Sequence, residues 1–255
     1  MKKISFCILL SALPFCCLTT HAQDFSLGIR GGISIPNLTA GGNENPLNTG
    51  YSSRLGPEAG IFAEFRFSNT FSLQPMIEYS SQGGKKNGMQ GFTTPDAIKA
   101  MYPPGLSPQY LYANYKSEAK LDYLMIPVLA KAGWDLGESP FRIYVDAGPF
   151  IGFLISAKQV TSGESQFYTT PSAREVIPGG QQSFDHTEDV KKQLYTVNFG
   201  IEGNVGLNYR FGSHNIFIEG GGNYGFLNIQ KEAQNGKNNT GAATGTIGYS
   251  YRFGK

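Results

Sequence analysis

The stretch Tyr195-Thr196-Val197-Asn198-Phe199-Gly200-Ile201-Glu202-Gly203-Asn204-Val205-Gly206-Leu207-Asn208-Tyr209-Arg210-Phe211 alternates without a break. Its odd positions are apolar or glycine; its even positions are Thr, Asn, Gly, Glu, Asn, Gly, Asn and Arg. A period of two marks a strand whose two faces meet different surroundings. The same alternation runs through Phe25 to Ile35, Pro57 to Phe67, Phe71 to Ser80, Phe141 to Ser156, Ile216 to Phe226 and Ala243 to Phe253. Across these segments no residue on the apolar face is charged. The charges sit on the other face: Arg30, Glu58, Glu64, Arg66, Glu78, Arg142, Asp146, Glu202, Arg210, Glu219 and Arg252.

An eighth segment, Ala119 to Ala132, breaks phase. Leu121 and Tyr123 fit one parity; Ile126, Val128, Ala130 and Ala132 fit the other. One extra residue at a β-bulge would produce that shift, and Pro127 suits it because it lacks a ladder donor. Lys120, Asp122 and Lys131 are then expected on the inner side. The alternative is a strand buried on both faces.

Composition agrees with an all-β chain. Of 255 residues 33 are glycine, which weakens helix interiors. The 18 Phe and 14 Tyr argue against disorder, and a formal charge of +2 carries no nucleic-acid signature. Residues 1–22 have the pattern of a secretory signal peptide: Lys2 and Lys3, an apolar run from Ile4 to Leu18, and Thr20-His21-Ala22 before the cut. The expected mature domain is 23–255. Cleavage would remove Cys7, Cys16 and Cys17, leaving no thiol or Cys metal site. It would also bring 21 basic residues to 19, against 19 acidic ones. No apolar run of 18 follows residue 22, so no membrane helix is expected.

The polar face is small as well as polar. Gly28, Gly32, Gly60, Gly148, Gly152, Gly200, Gly206, Gly221, Gly225 and Gly248 all lie on it. That suits a narrow enclosed lumen, with the apolar face turned out to lipid. The expected connections, 36–56, 68–70, 83–118, 133–140, 157–194, 212–215 and 227–242, alternate long and short. Outer-membrane barrels have short periplasmic turns and longer outer loops. Aromatic residues cluster at the strand ends. Phe25, Phe65, Phe67, Phe71, Trp134, Phe141, Tyr209, Phe211, Tyr251 and Phe253 lie near the short turns; Tyr79, Tyr195, Tyr224 and Phe226 lie near the long loops. Rings prefer the membrane interface. The expectation is an eight-stranded antiparallel up-and-down transmembrane β-barrel in the outer membrane of a Gram-negative envelope. Its partners would be membrane lipid and, during biogenesis, the barrel-insertion machinery; nucleic acid is not among them.

The segments Tyr123-Leu124-Met125-Ile126-Pro127, Ala147-Gly148-Pro149-Phe150-Ile151-Gly152 and Tyr249-Ser250-Tyr251-Arg252-Phe253 resemble the PorT-type outer-membrane β-barrel family. The resemblance spans essentially the whole mature chain. It implies a barrel and a possible place as an accessory component of a secretion system. The closing strand resembles the aromatic-ended signal read by the insertion machinery, although Gly254 and Lys255 follow Phe253.

No catalytic or cofactor site is expected. Arg30, Glu64, Arg66, Glu78, Arg142, Asp146, Glu202, Arg210, Glu219 and Arg252 read as a structural salt-bridge network filling a small lumen. Gly220-Gly221-Gly222-Asn223-Tyr224-Gly225 matches G-x-G-x-x-G but lies inside a strand, without the helix that a dinucleotide site needs. His186 and His214 fall in a long loop and a short turn, at opposite ends of the barrel; Ser213 beside His214 points away from it. The long loops, with Pro103, Pro104, Tyr110, Phe167 and Phe184, are candidate binding surfaces. The rival reading is a soluble lipocalin-like carrier, which requires the apolar face inward.

Overall fold

The computed structural model describes residues 25–42 and 44–254. The expected signal peptide, with its three cysteines, lies outside these residues. Eight long strands follow in order: β1 (Phe25–Ala40), β2 (Gly56–Arg66), β3 (Phe71–Thr93), β4 (Tyr110–Asp135), β5 (Phe141–Ser162), β6 (Val197–Phe211), β7 (His214–Gly225) and β8 (Asn238–Phe253). Each pairs antiparallel with its neighbours in sequence. The first pairs with the last, Phe25 opposite Phe253, so the strands form a ring. Backbone donors and acceptors therefore find partners between strands, as a span through hydrocarbon demands.

The apolar face points outward. Ile29, Ile61, Val205, Ile218 and Ile247 are all exposed, while Arg30, Glu58, Glu202 and Glu219 on the alternate positions are buried. That arrangement removes the lipocalin-like reading, which needs the reverse. Rings form a nearly continuous girdle at the short-turn end, with Phe25–Phe65, Phe25–Phe253, Phe141–Tyr209 and Tyr251–Phe253 centroids 4.8–5.9 Å apart. The opposite girdle is sparser and includes Tyr224, Phe226 and Phe199.

Two expectations are corrected. The first concerns β4, whose odd positions from Leu111 to Gly133 are buried, Tyr115 half-buried, with no change of phase. Leu121, Tyr123, Met125, Pro127, Leu129 and Lys131 all face inward. The bulge is in the partner strand instead: Asp122 pairs with Ser156 and Tyr123 with Leu154, leaving Ile155 as the extra residue. The apolar residues Leu121 and Tyr123 are inward core, not lipid face, and Lys120 and Asp122 point outward. There the Asp122 carboxylate accepts from the Tyr79 hydroxyl at 2.7 Å.

The second correction concerns strand length. Ladder pairing of β3 with β4 continues to Thr93 opposite Tyr110, so the connection shrinks from 83–118 to 94–109. β5 likewise extends to Ser162 and is joined by the short strand His186–Asp189. These extensions rise past the apolar belt, and their inner face is covered by loops, with Lys86, Gln90, Leu111 and Ala113 buried. Alternation there has no lipid face to serve, and the pattern that located the membrane strands fades while pairing continues.

Inside, four aromatic side chains each face a glycine directly across a strand pair. Phe62 lies opposite Gly28, Phe217 opposite Gly248, Tyr144 opposite Gly206 and Phe150 opposite Gly200. A Cβ on any of these glycines would overlap the facing ring. The lumen glycines are thus seats for large rings that cross a narrow interior. Phe62, Met76, Leu129, Tyr144 and Phe217 form one buried cluster; Tyr123, Met125, Phe150 and Leu154 belong to a second, toward the outer end.

Candidate functional site: a filled lumen and an outer cup

Mid-barrel, β1 delivers Arg30 to four glutamates from four other strands. Its Nη1 donates to Glu219 Oε2 at 3.1 Å, and its Nη2 donates to Glu202 Oε1 at 2.7 Å and to a Glu78 carboxylate oxygen. Glu58 is within ion-pair distance at 3.5 Å. Neutral donors complete only Glu219: the Tyr144 hydroxyl donates to it at 2.8 Å and Thr246 donates to its other oxygen, while Asn204 donates to one oxygen each of Asp146 and Glu202. Among the described residues, both Glu58 oxygens and one oxygen each of Glu78, Glu202 and Asp146 accept no hydrogen bond. These groups are buried, where additional hydrogen bonds help an ion pair offset its desolvation.

Toward the short turns lies a second group. Lys131 pairs with Glu64 at 3.5 Å, donates to Gln74 at 3.0 Å, and sits 3.8 Å above the Tyr144 ring. Asp135 accepts from Arg142 at 2.9 Å and pairs with Arg210 at 2.7 Å. Arg66 and Arg252 are half-buried in this same end of the barrel.

The expected lumen residues therefore divide into a central cluster (Arg30, Glu58, Glu78, Asp146, Glu202, Glu219) and a periplasmic one (Glu64, Arg142, Arg210, with Arg66 and Arg252 near it). Gln74 and Tyr144 are the members that the parity of charged residues does not reveal; Lys131, expected on the inner side, is there. The signal that could have found Tyr144 is its cross-strand glycine, Gly206.

Above the outer cluster the barrel opens into a cup of about 570 Å³. Leu38, Ala119, Leu121, Leu194 and Ile229 form its apolar part; Tyr51, Lys86 and Tyr115 stand on one wall; Glu188 stands on its lining too. Lys86 is outside the membrane span, flanked by the exposed Lys85 and Asn87 and paired with Ser117. Burial pushes its amine down to about 8. Burial, with Tyr115 nearby, pushes the Tyr51 hydroxyl up to about 12. His186 and His214 lie at opposite ends of the ring, one in the strand paired to the outer part of β5, the other at the periplasmic start of β7. Gly220 to Gly225 lie within β7, with no helix following.

A closed strand ring, an outward apolar belt and an ionic interior define an integral β-barrel of the outer membrane. The chain belongs to the outer membrane protein beta-barrel domain family, whose model matches residues 21–231. Its place is the outer membrane of a Gram-negative envelope. It is similar to three solved structures of that membrane. Neisserial surface protein A is 13% identical over 90% of this chain and 97% of that one, with a TM-score of 0.39. Ail, the attachment invasion locus protein of Yersinia pestis, is 12% identical over 89% and 98%, with a TM-score of 0.34. The N-terminal barrel domain of OprF from Pseudomonas aeruginosa is 9% identical over 91% and 99%, with a TM-score of 0.36. No curated protein matches the chain significantly.

Proposed function

We propose that this protein is a non-catalytic membrane anchor whose filled barrel holds an ordered outer loop layer against a protein partner of the envelope. The observation that carries this reading is the layer itself. Ile98, Leu111 and Ile177 form a separate buried cluster beyond the membrane, packed with Phe92, Tyr102 and Phe167. Tyr115 stacks on Phe184 at 4.4 Å. Loops held together by their own core are positioned surfaces rather than slack connections. On this layer Met101 and Leu106 are 72% and 71% exposed. Two large apolar side chains exposed on one loop are candidate contacts for a partner.

The ionic network acts structurally, fixing the eight strands around a closed interior. The resemblance to PorT-type barrels supports a partner from a secretion assembly over other envelope proteins. Crosslinking in intact envelopes followed by affinity purification tests the proposal. A specific protein should be captured by the wild type and largely lost from Met101→Lys/Leu106→Lys. Co-purification of a large envelope complex supports the secretion role. Capture unchanged in the double variant, or no specific capture, refutes the anchor reading.

A further inference from the structure

The outer cup combines two features that the anchor role does not use. One is an apolar base open to water: Leu38, Leu121, Leu194 and Ile229 are buried by neighbours but line the cavity. Tyr123, Met125, Phe150 and Leu154 close it below, so the cup is a dead end rather than an entrance. The other is Lys86. Its Nζ donates to the Leu47 carbonyl at 2.8 Å and the Pro46 carbonyl at 3.3 Å, and lies 4.3 Å from the centre of the Tyr51 ring. Among the described residues no carboxylate comes within ion-pair distance of it. An ammonium has three donors, and two are occupied. A buried cation held by carbonyls and a ring face still lacks a counter-charge. The acid on the lining, Glu188, is exposed and accepts from Gln193 at 3.4 Å.

We propose that the cup binds a small amphipathic carboxylate, with its anionic head on Lys86 and its apolar tail on Leu38, Leu121, Leu194 and Ile229. A volume of about 570 Å³ is within the range of small-molecule sites. A neutral apolar ligand would cover the base but leave Lys86 uncompensated; a short anion such as acetate would do the reverse. The inference rests on the barrel and its outer mouth, and not on any protein partner.

The test is calorimetric titration of the purified full-length protein in phosphatidylcholine nanodiscs, with empty nanodiscs subtracted. The probes are octanoate, octanamide and acetate. Octanoate should bind one per barrel and about ten-fold or more tighter than either of the others, the effect expected of one charge-assisted hydrogen bond. Lys86→Met should weaken octanoate by a similar factor while leaving the barrel folded, judged by heat-dependent gel mobility. Absence of octanoate heat, equal affinity for octanoate and octanamide, or unchanged affinity in a folded Lys86→Met overturns the proposal. If Lys86→Met does not fold, the three-probe comparison on the wild type decides alone. Partner capture is read separately, so a barrel that captures protein but binds no octanoate fails this inference and not the anchor reading.

Discussion

Glycine 28 and Phe62 show how single residues set the interior. They face each other across β1 and β2, and the ring occupies the space a Cβ would need. Gly28→Ala must push the ring from its rotamer into a filled lumen, an overpacking cost of about 1–3 kcal/mol. Urea unfolding in lipid vesicles should show that loss. The double variant Gly28→Ala/Phe62→Leu, which gives the methyl room, should recover part of it; no recovery would mean the ring contact is not the cause. Lys86 makes a different prediction. Its amine, lowered by burial, should titrate near 8, against a free-lysine value of about 10.4. Methyl-labelled lysine NMR reads this directly. Between those two values the unfolded chain holds more protons than the folded one. Folding stability from this group therefore rises with pH across that window and is lost again as pH falls toward 8. A Lys86 midpoint near 10.5 would contradict its burial.

At the scale of elements, seven of the eight membrane segments were legible because lipid on one side and a polar lumen on the other enforce a two-residue period. β4 departs from the pattern of its sequence for a physical reason. Its inward face toward the outer mouth is itself apolar, carrying Leu121, Tyr123 and Met125 into the upper cluster. Both faces then look oily, and the sequence mimics a phase shift that β4 does not have. The true irregularity, Ile155, was hidden because both its neighbours fit the alternation on their own side. Deleting Ile155 should be tolerated. Tyr123 would still pair with Leu154, Asp122 with Ser156 and Leu121 with Ala157, and no side chain changes face. Deleting Ile126 from β4 should not be tolerated. It reverses the face of everything on one side of the deletion, sending either Tyr123 and Leu121 or Lys131 to the wrong side. A lysine moved to the lipid face costs about 2–4 kcal/mol at the midplane, and the lost core adds to that. Heat-dependent gel mobility after refolding separates the two outcomes; equal folding of both variants would invalidate the register. The charged lumen positions were readable from parity alone. Which acids share Arg30 was not, because that depends on how five strands converge across the ring.

For the molecule as a whole, the question is whether the polar interior is a path or a plug. Charged side chains line it from end to end, which by composition alone would suit an ion route. Packing argues otherwise. Phe62, Tyr144, Phe217 and Phe150 cross the lumen over their glycines, and Tyr123 and Met125 lie 2% exposed beneath the cup. Arg30 ties four glutamates from different strands at the same level. An eight-stranded ring has an interior just wide enough for its side chains, so ions find no continuous water. Purified wild-type protein in planar bilayers should therefore give no stable large channels. Glu202→Ala should lower stability by breaking the network without opening a channel, because the rings remain. Arg30→Met tests the network harder. It leaves four buried carboxylates without their shared cation, and loss of one partner from a buried ionic group costs about 3–5 kcal/mol. The barrel should unfold at markedly lower urea, and still without conductance below that point. Stable large openings from the wild type would show that the rings do not seal the lumen, and would turn the ionic cluster from a brace into the lining of a pore.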